Sequence, residues 1–240
     1  MTKRITMEEL VPEMRVIMEH PLITPYTKDY YLTNVAIQQW TEHLRDQENA
    51  KFKGCLYWSK EALYKYSENL DILKEVKKTN GKSNINKPEK GLNHEHVIPK
   101  KWLISNIFLN EERNQESKDE EDYIRYYLED YTFACVVTKE EHKRINKPKE
   151  KINYTSTMPI SVFENGTQHA DYHKYWLRYK IAGIEVYKLK WSSDKKTAMI
   201  EGQINTDMTG WEDPLIPVTT NFLHKGKVLY DINHKSFAFI

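Results

Sequence analysis

Apolar residues recur at helical spacing through the first third of the chain. Leu10, Met14 and Ile17 lie three and four apart. Ahead of them Thr6 and Glu9 form a pairing in which two side chains satisfy two otherwise unpaired N–H groups at a helix start. A short helix is expected there, kinked at Pro12, which has no N–H to give. Pro21 and Pro25 mark a loop. Ile37, Trp40 and Leu44 share one face of a second helix, expected from about Lys28 to Asp46. Ser59 is placed to cap a third, in which Leu63, Tyr66, Leu70 and Leu73 keep the spacing. These stripes read as core and are assigned no chemistry. His20 and His43 read as surface or packing residues.

The period then changes. Residues 77–90 carry Asn80-Gly81, Pro88 and few apolar positions, so they read as a loop, and a strongly basic one. His94, Glu95 and His96 sit on a short strand that Pro99 should end, since proline cannot donate a ladder bond. Trp102, Leu103, Ile104, Ile107 and Phe108 suit a helical turn packed on the core. The acidic stretch from Glu111 to Asp122 is expected to be exposed, and Tyr123, Ile124, Tyr127 and Leu128 return to helical spacing. Thr132 to Thr138 is rich in β-branched and aromatic residues, as a buried strand would be. Thr138 and Glu141 repeat the capping pair, so a helix starts after Thr138, with His142 and Asn146 one turn apart on one face. Residues 156–167 read as loop. His169 to about Ile184 reads as a helix with Tyr172, Trp176 and Tyr179 apolar. Glu185–Trp191, Thr197–Ile204, Val228–Ile232 and Phe237–Ile240 read as strands.

Composition narrows the class. The 240 residues allow one large domain or two small ones. Lysine plus arginine number 36 against 35 acidic residues, a net charge of +1, so a nucleic-acid ligand would need positive charge gathered locally. The two cysteines, Cys55 and Cys135, fit a reducing cytoplasm and do not suggest a disulfide scaffold. Met1-Thr2-Lys3-Arg4 leads into acidic residues and not into an apolar segment, and no apolar run is long enough to span a bilayer. A cytoplasmic protein is expected.

The stretch with most chemistry is Gly91-Leu92-Asn93-His94-Glu95-His96-Val97-Ile98-Pro99, followed at a distance by Val136-Val137-Thr138 with His142 and Asn146. Alternation along a strand turns Glu95 away from His94 and His96, unless a bulge softens it. Phosphodiester hydrolysis needs an activated water, charge neutralisation at phosphate and help for the leaving oxygen. A neutral imidazole suits the first task and a cation held by mixed oxygen and nitrogen donors the others.

In order and spacing these residues resemble the HNH, or ββα-metal, nuclease family. Glu95-His96-x-x-Pro99 is similar to its Asp/Glu/His-His-x-x-Pro signature, and Val136 to Asn146 resembles the strand-to-helix segment of colicin-type DNases. The resemblance covers roughly residues 91 to 150. It implies His96 as general base, with Glu95, His142 and Asn146 holding one divalent cation. Magnesium fits that set, and manganese is also suited. The role of His94 stays open between a supporting residue, a spare ligand and a surface histidine. Three features depart from the family, the first being the long loop between the motif's halves, from Lys100 to about Asp130. Asp130-Tyr131-Thr132-Phe133 has no asparagine to pin the loop beside the base, and no paired Cys-x-x-Cys knuckle exists.

The fold expected is α+β: a small ββα-metal nuclease core at 91–155, a helical N-terminal region at 1–90 and a mixed α/β extension at 156–240 for target recognition or dimerisation. The function the resemblance implies is a metal-dependent DNA endonuclease. By analogy of size and added regions, it would be of restriction or phage-defence type, acting as a homodimer if it breaks both strands. Lys100, Lys101, Lys143, Arg144 and Lys147 are the expected DNA contacts. Lys188, Lys190, Lys195 and Lys196 with Tyr187 and Trp191 suit either a groove or a solvated edge strand. His169 and His173, one helical turn apart, permit metal binding but lack an evident third ligand. Two alternatives remain: an RNA-cleaving or nonspecific toxin-like nuclease, and a non-catalytic nucleic-acid-binding module with a structural metal.

Overall fold

The computed structural model describes residues 6–44, 51–79, 81, 83–110, 123–148, 153–159, 175–206, 215–218, 222–224, 227–230 and 237–238. It is an α+β structure organised by one mixed sheet. The capping pair at Thr6 and Glu9 forms, with each backbone N–H donating to the other side chain at 2.9 and 3.2 Å. It starts helix α1 at Met7–Glu19, which runs through Pro12 without a break and buries Leu10, Met14 and Met18. Pro25 turns out to be the first residue of α2, Pro25–Tyr31, with Thr24 as its cap. Proline suits that position because its fixed φ is helical and its missing N–H would be unpaired anyway. The helix continues through Leu32–Ala36, Ile37–Gln39 and Trp40–Leu44, with wider π-helical turns at Leu32–Ala36 and Trp40–Leu44.

Strand β1 is only Tyr57–Ser59, yet it lies mid-sheet, parallel to β3 (Ala134–Thr138) and antiparallel to β4 (Val186–Trp191). The strand at Leu92–His96, β2, pairs antiparallel with β3 and ends the sheet on that side. On the other side β4 pairs with β5 (Thr197–Ile204), which in turn pairs with β6 (Leu215–Ile216) and with a short strand at Phe237–Ala238. A separate hairpin joins Phe222–His224 to Lys227–Tyr230. Strands from residues below 91, from 91–155 and from above 155 thus share one sheet.

Each face of the sheet has its own apolar layer. Helix α3, Lys60–Thr79, lays Ala62, Leu63, Tyr66 and Leu70 on one face against Trp58, Leu92, Val136 and Leu189. On the other face, Ile145 and Tyr179 pack with Tyr57, Val97, Cys135, Val137 and Val186. A third cluster joins α1 and the α2 run to Trp102, Leu103, Ile107 and Phe108, which lie in α4 (Lys100–Leu103) and its π-helical continuation Ile104–Phe108. It also takes in Ile124 and Leu128 of α5, Tyr123–Tyr131. Trp40 Nε1 donates to Leu128 O at 2.6 Å, tying the α2 run to α5. Fully burying side chains of this size contributes about 1.5–3 kcal/mol each.

Among the described residues no helix is long and apolar enough to cross a membrane. His169, His173 and the acidic stretch 111–122 lie outside the described residues, as does the N-terminal part of the helix expected from His169; Leu177–Ile181 is helical and is α7 here, after α6 at Lys139–Asn146.

Candidate active site

β2 and β3 register so that Glu95 lies opposite Cys135 and His94 opposite Val136. Glu95 therefore shares the sheet face that carries α6 and α7, and His94 and His96 share the face that carries α3. α6 begins where the sequence places it. Thr138 Oγ1 accepts from the Glu141 N–H at 3.1 Å, and Glu141 Oε2 accepts from the Thr138 N–H at 2.8 Å. Glu141 is also fixed from outside the helix. Ser59 Oγ donates to its Oε2 at 2.6 Å and accepts from the Ala62 N–H at 3.1 Å, so one hydroxyl ties the starts of α3 and α6 together. Burial raises the Glu141 carboxyl above its ordinary value, and these hydrogen bonds work against the rise.

With α6 so anchored, His142 and Asn146 face Glu95. His142 Nδ1 lies 2.6 Å from Glu95 Oε2. Asn146 Nδ2 lies 3.2 Å from His142 Nε2. With the proton on Nδ1, the imidazole donates to the carboxylate; Asn146 Nδ2 is also 3.4 Å from Nδ1, so the carboxamide nitrogen lies against the face of the ring. The structure thus brings Glu95, His142 and Asn146, the set that the resemblance implies, to one place.

Another group stands there, and the sequence reasoning missed it. Arg178 of α7 is fully buried. Its Nη2 donates to Glu95 Oε1 at 2.9 Å and to Asn146 Oδ1 at 2.7 Å. Its Nη1 donates to His96 O at 3.0 Å and Val97 O at 3.1 Å. The result is a closed ring: guanidinium, carboxylate, imidazole, carboxamide, guanidinium. Both Nη nitrogens of Arg178 meet acceptors, as a buried ion pair requires if it is not to be strongly destabilising. One atom is left out. Arg178 Nε is buried with no hydrogen-bond partner among the described residues, a cost of about 1–3 kcal/mol. The available signal was a lone arginine between Trp176, Leu177 and Tyr179.

The His96 ring is not in this ring of contacts. Only its backbone carbonyl is, through Arg178. Its imidazole lies on the other face beside His94, ring centroids 5.8 Å apart. Burial holds His96 well below its ordinary value, with His94, Lys100 and Arg178 adding to the effect. Burial also pushes His94 down to about 4. Both rings are neutral at pH 7, and each has a buried Nδ1 without a partner among the described residues.

The donors tested for a metal are two oxygens and an imidazole nitrogen, a set that suits magnesium or manganese in kind. Their place is another matter, because the point between Glu95 Oε1 and Asn146 Oδ1 is taken by a guanidinium nitrogen. Among the described residues, no group of three or more histidine, cysteine, aspartate or glutamate side chains is arranged to hold a metal ion. The seat at Glu95 has only two of those and relies on the Asn146 carboxamide for its third donor.

The expected DNA contacts divide. Lys100 Nζ donates to Thr33 O at 3.1 Å, and Lys101 Nζ pairs with Asp29 Oδ2 at 3.3 Å, so both turn towards the α2 run. Lys143, Arg144 and Lys147 are exposed on α6 and its exit, with Arg144 4.0 Å from Glu141. Comparison with family models, curated proteins and solved structures gave no match.

Proposed function

We propose that the chain is a metal-dependent DNA endonuclease of the HNH, ββα-metal kind. The observation that carries this reading is the meeting of Glu95, His142 and Asn146, from one strand and one helix, in the order and on the elements that the resemblance implies. Among the described residues β2 is the terminal strand of the sheet, so a phosphodiester laid along its outer edge would meet side chains of both faces. Glu95 approaches from one face and His96 from the other. His96 is neutral, as a general base must be, and its buried Nδ1 has no hydrogen-bond partner among the described residues. Glu95, Asn146 and His142 would hold the cation, which when bound neutralises phosphate charge and assists the leaving oxygen. Lys143, Arg144 and Lys147 would grip the backbone beside the cut.

The test is purified protein with supercoiled plasmid and magnesium, with and without chelator, alongside a structured RNA. Chelator-sensitive nicking or linearisation of the plasmid supports the reading. RNA cleavage without plasmid cleavage moves it to an RNase.

One observation favours a second reading, a non-catalytic nucleic-acid-binding module. The ring is already complete around Arg178, and a permanent guanidinium would make a metal unnecessary. Under that reading no cleavage appears at any magnesium concentration while DNA is still bound.

A further inference from the structure

We propose that Arg178 is a resident cation of the Glu95–Asn146 seat, and that a divalent cation enters by taking the place of its Nη2. The inference rests on the metal reading above and concerns how that site is governed.

The same two oxygens that would ligate a metal, Glu95 Oε1 and Asn146 Oδ1, both accept from one guanidinium nitrogen at 2.9 and 2.7 Å. Those distances are hydrogen-bond distances, and they leave no room for an ion between donor and acceptor. A metal and Nη2 therefore exclude one another. Charge works in the same direction, because two cations sharing one carboxylate in a buried setting repel.

Arg178 can yield only by moving as a whole. Its Nη1 bonds go to the backbone carbonyls of His96 and Val97, which are not part of the cation's donor set. The guanidinium is planar and both Nη1 hydrogens are engaged, so Nη2 leaves the seat only when these two bonds are given up with it. Nε, buried without a partner, offers no bond that the movement would break. His142 must also turn, since its Nδ1 is committed to Glu95 Oε2 and its ring face is covered by Asn146 Nδ2. Its side chain is 38% exposed, the most open member of the ring. Cation entry is thus an exchange of partners, and its affinity is set by a competition inside the protein.

The probe is Mn2+ alone, with free ion followed by electron paramagnetic resonance, titrated into wild type, Arg178→Met, Arg178→Lys and Glu95→Gln. Removing the competing charge is expected to tighten Mn2+ binding at least tenfold in Arg178→Met, and less in Arg178→Lys, which keeps the charge but not the fork. Glu95→Gln is expected to abolish binding at this seat. Thermal unfolding guards against a folding defect. Arg178→Met should melt lower than wild type in chelator and gain more from Mn2+ than wild type does. Equal or weaker Mn2+ binding in both Arg178 variants than in a wild type that binds overturns the competition while leaving the metal reading intact. No Mn2+ binding in any variant overturns both. Binding in Arg178→Met but not in wild type supports the competition in its strongest form.

Discussion

At the scale of single residues, His96 and His94 set two measurable behaviours. If His96 removes a proton from water, His96→Ala lowers plasmid cleavage by about 100-fold or more while DNA affinity stays within about twofold. A gel-shift and a nicking assay on one preparation check both halves, and equal losses in both count against the base assignment. The second behaviour is stability. Burial holds both imidazoles below their unfolded value, to about 4 for His94. The unfolded chain therefore takes up these protons first as pH falls. Their contribution is fully present above about pH 6.5; His94 loses its share between there and about pH 4, and His96 loses its share in the same direction, as pH falls. For His94 alone the loss by pH 5 is about 2 kcal/mol. Urea unfolding at pH 7.5, 6 and 5 measures it, and His94→Asn should flatten the decline by up to that amount. A decline that begins only below pH 4 would mean both rings are solvated.

At the scale of elements, the join between α3, α6 and the sheet depends on one hydroxyl. Ser59 Oγ serves the Ala62 N–H and the Glu141 carboxylate together. Ser59→Ala removes a cap and leaves a buried carboxylate one partner short, which costs about 2 kcal/mol in urea unfolding. Ser59→Thr, which keeps the hydroxyl, should recover most of it, whereas full stability in Ser59→Ala would mean that Glu141 finds a new partner. This join also marks the limit of what the sequence discloses. The caps at Thr6 and Thr138 and the stripe in α3 were legible because their partners lie within one helical turn. Pro25 was misplaced as loop because a proline that opens a helix and a proline that breaks one look alike until the cap before it is weighed. β1 was missed because three buried residues in a row have no alternation to read. His142 and Asn146 were legible as one helix face from periodicity, and only the family resemblance joined Glu95 to them. Arg178 was not, since its partners Glu95 and Asn146 lie 83 and 32 positions away and only the folded sheet brings them together. The side of β2 on which His96 falls was legible too: alternation alone separates it from Glu95.

At the scale of the whole molecule, the net charge of +1 leaves no general attraction for a polyanion, so any DNA affinity must come from a patch. Of the basic residues expected to supply it, Lys100 and Lys101 are engaged by Thr33 and Asp29, whereas Lys143, Arg144 and Lys147 stand exposed where α6 ends. The same helix carries His142 and Asn146, so grip and seat are rigidly linked. Each phosphate neutralised releases counterions and adds about 0.9 to the slope of log affinity against log salt. Replacing Lys143, Arg144 and Lys147 together by glutamine should reduce that slope by up to about 2.7, whereas Lys101→Gln should leave it unchanged. Those three cations also sit near the negative end of the α6 dipole, so the triple variant should lose stability by about 1 kcal/mol as well. Comparing slopes, which depend on charge neutralised, and not single affinities, which depend also on folded fraction, separates the two effects. If the slope is the same in the triple variant and falls in Lys101→Gln, DNA approaches from the α2 side instead, and a phosphodiester would reach His96 without passing Glu95.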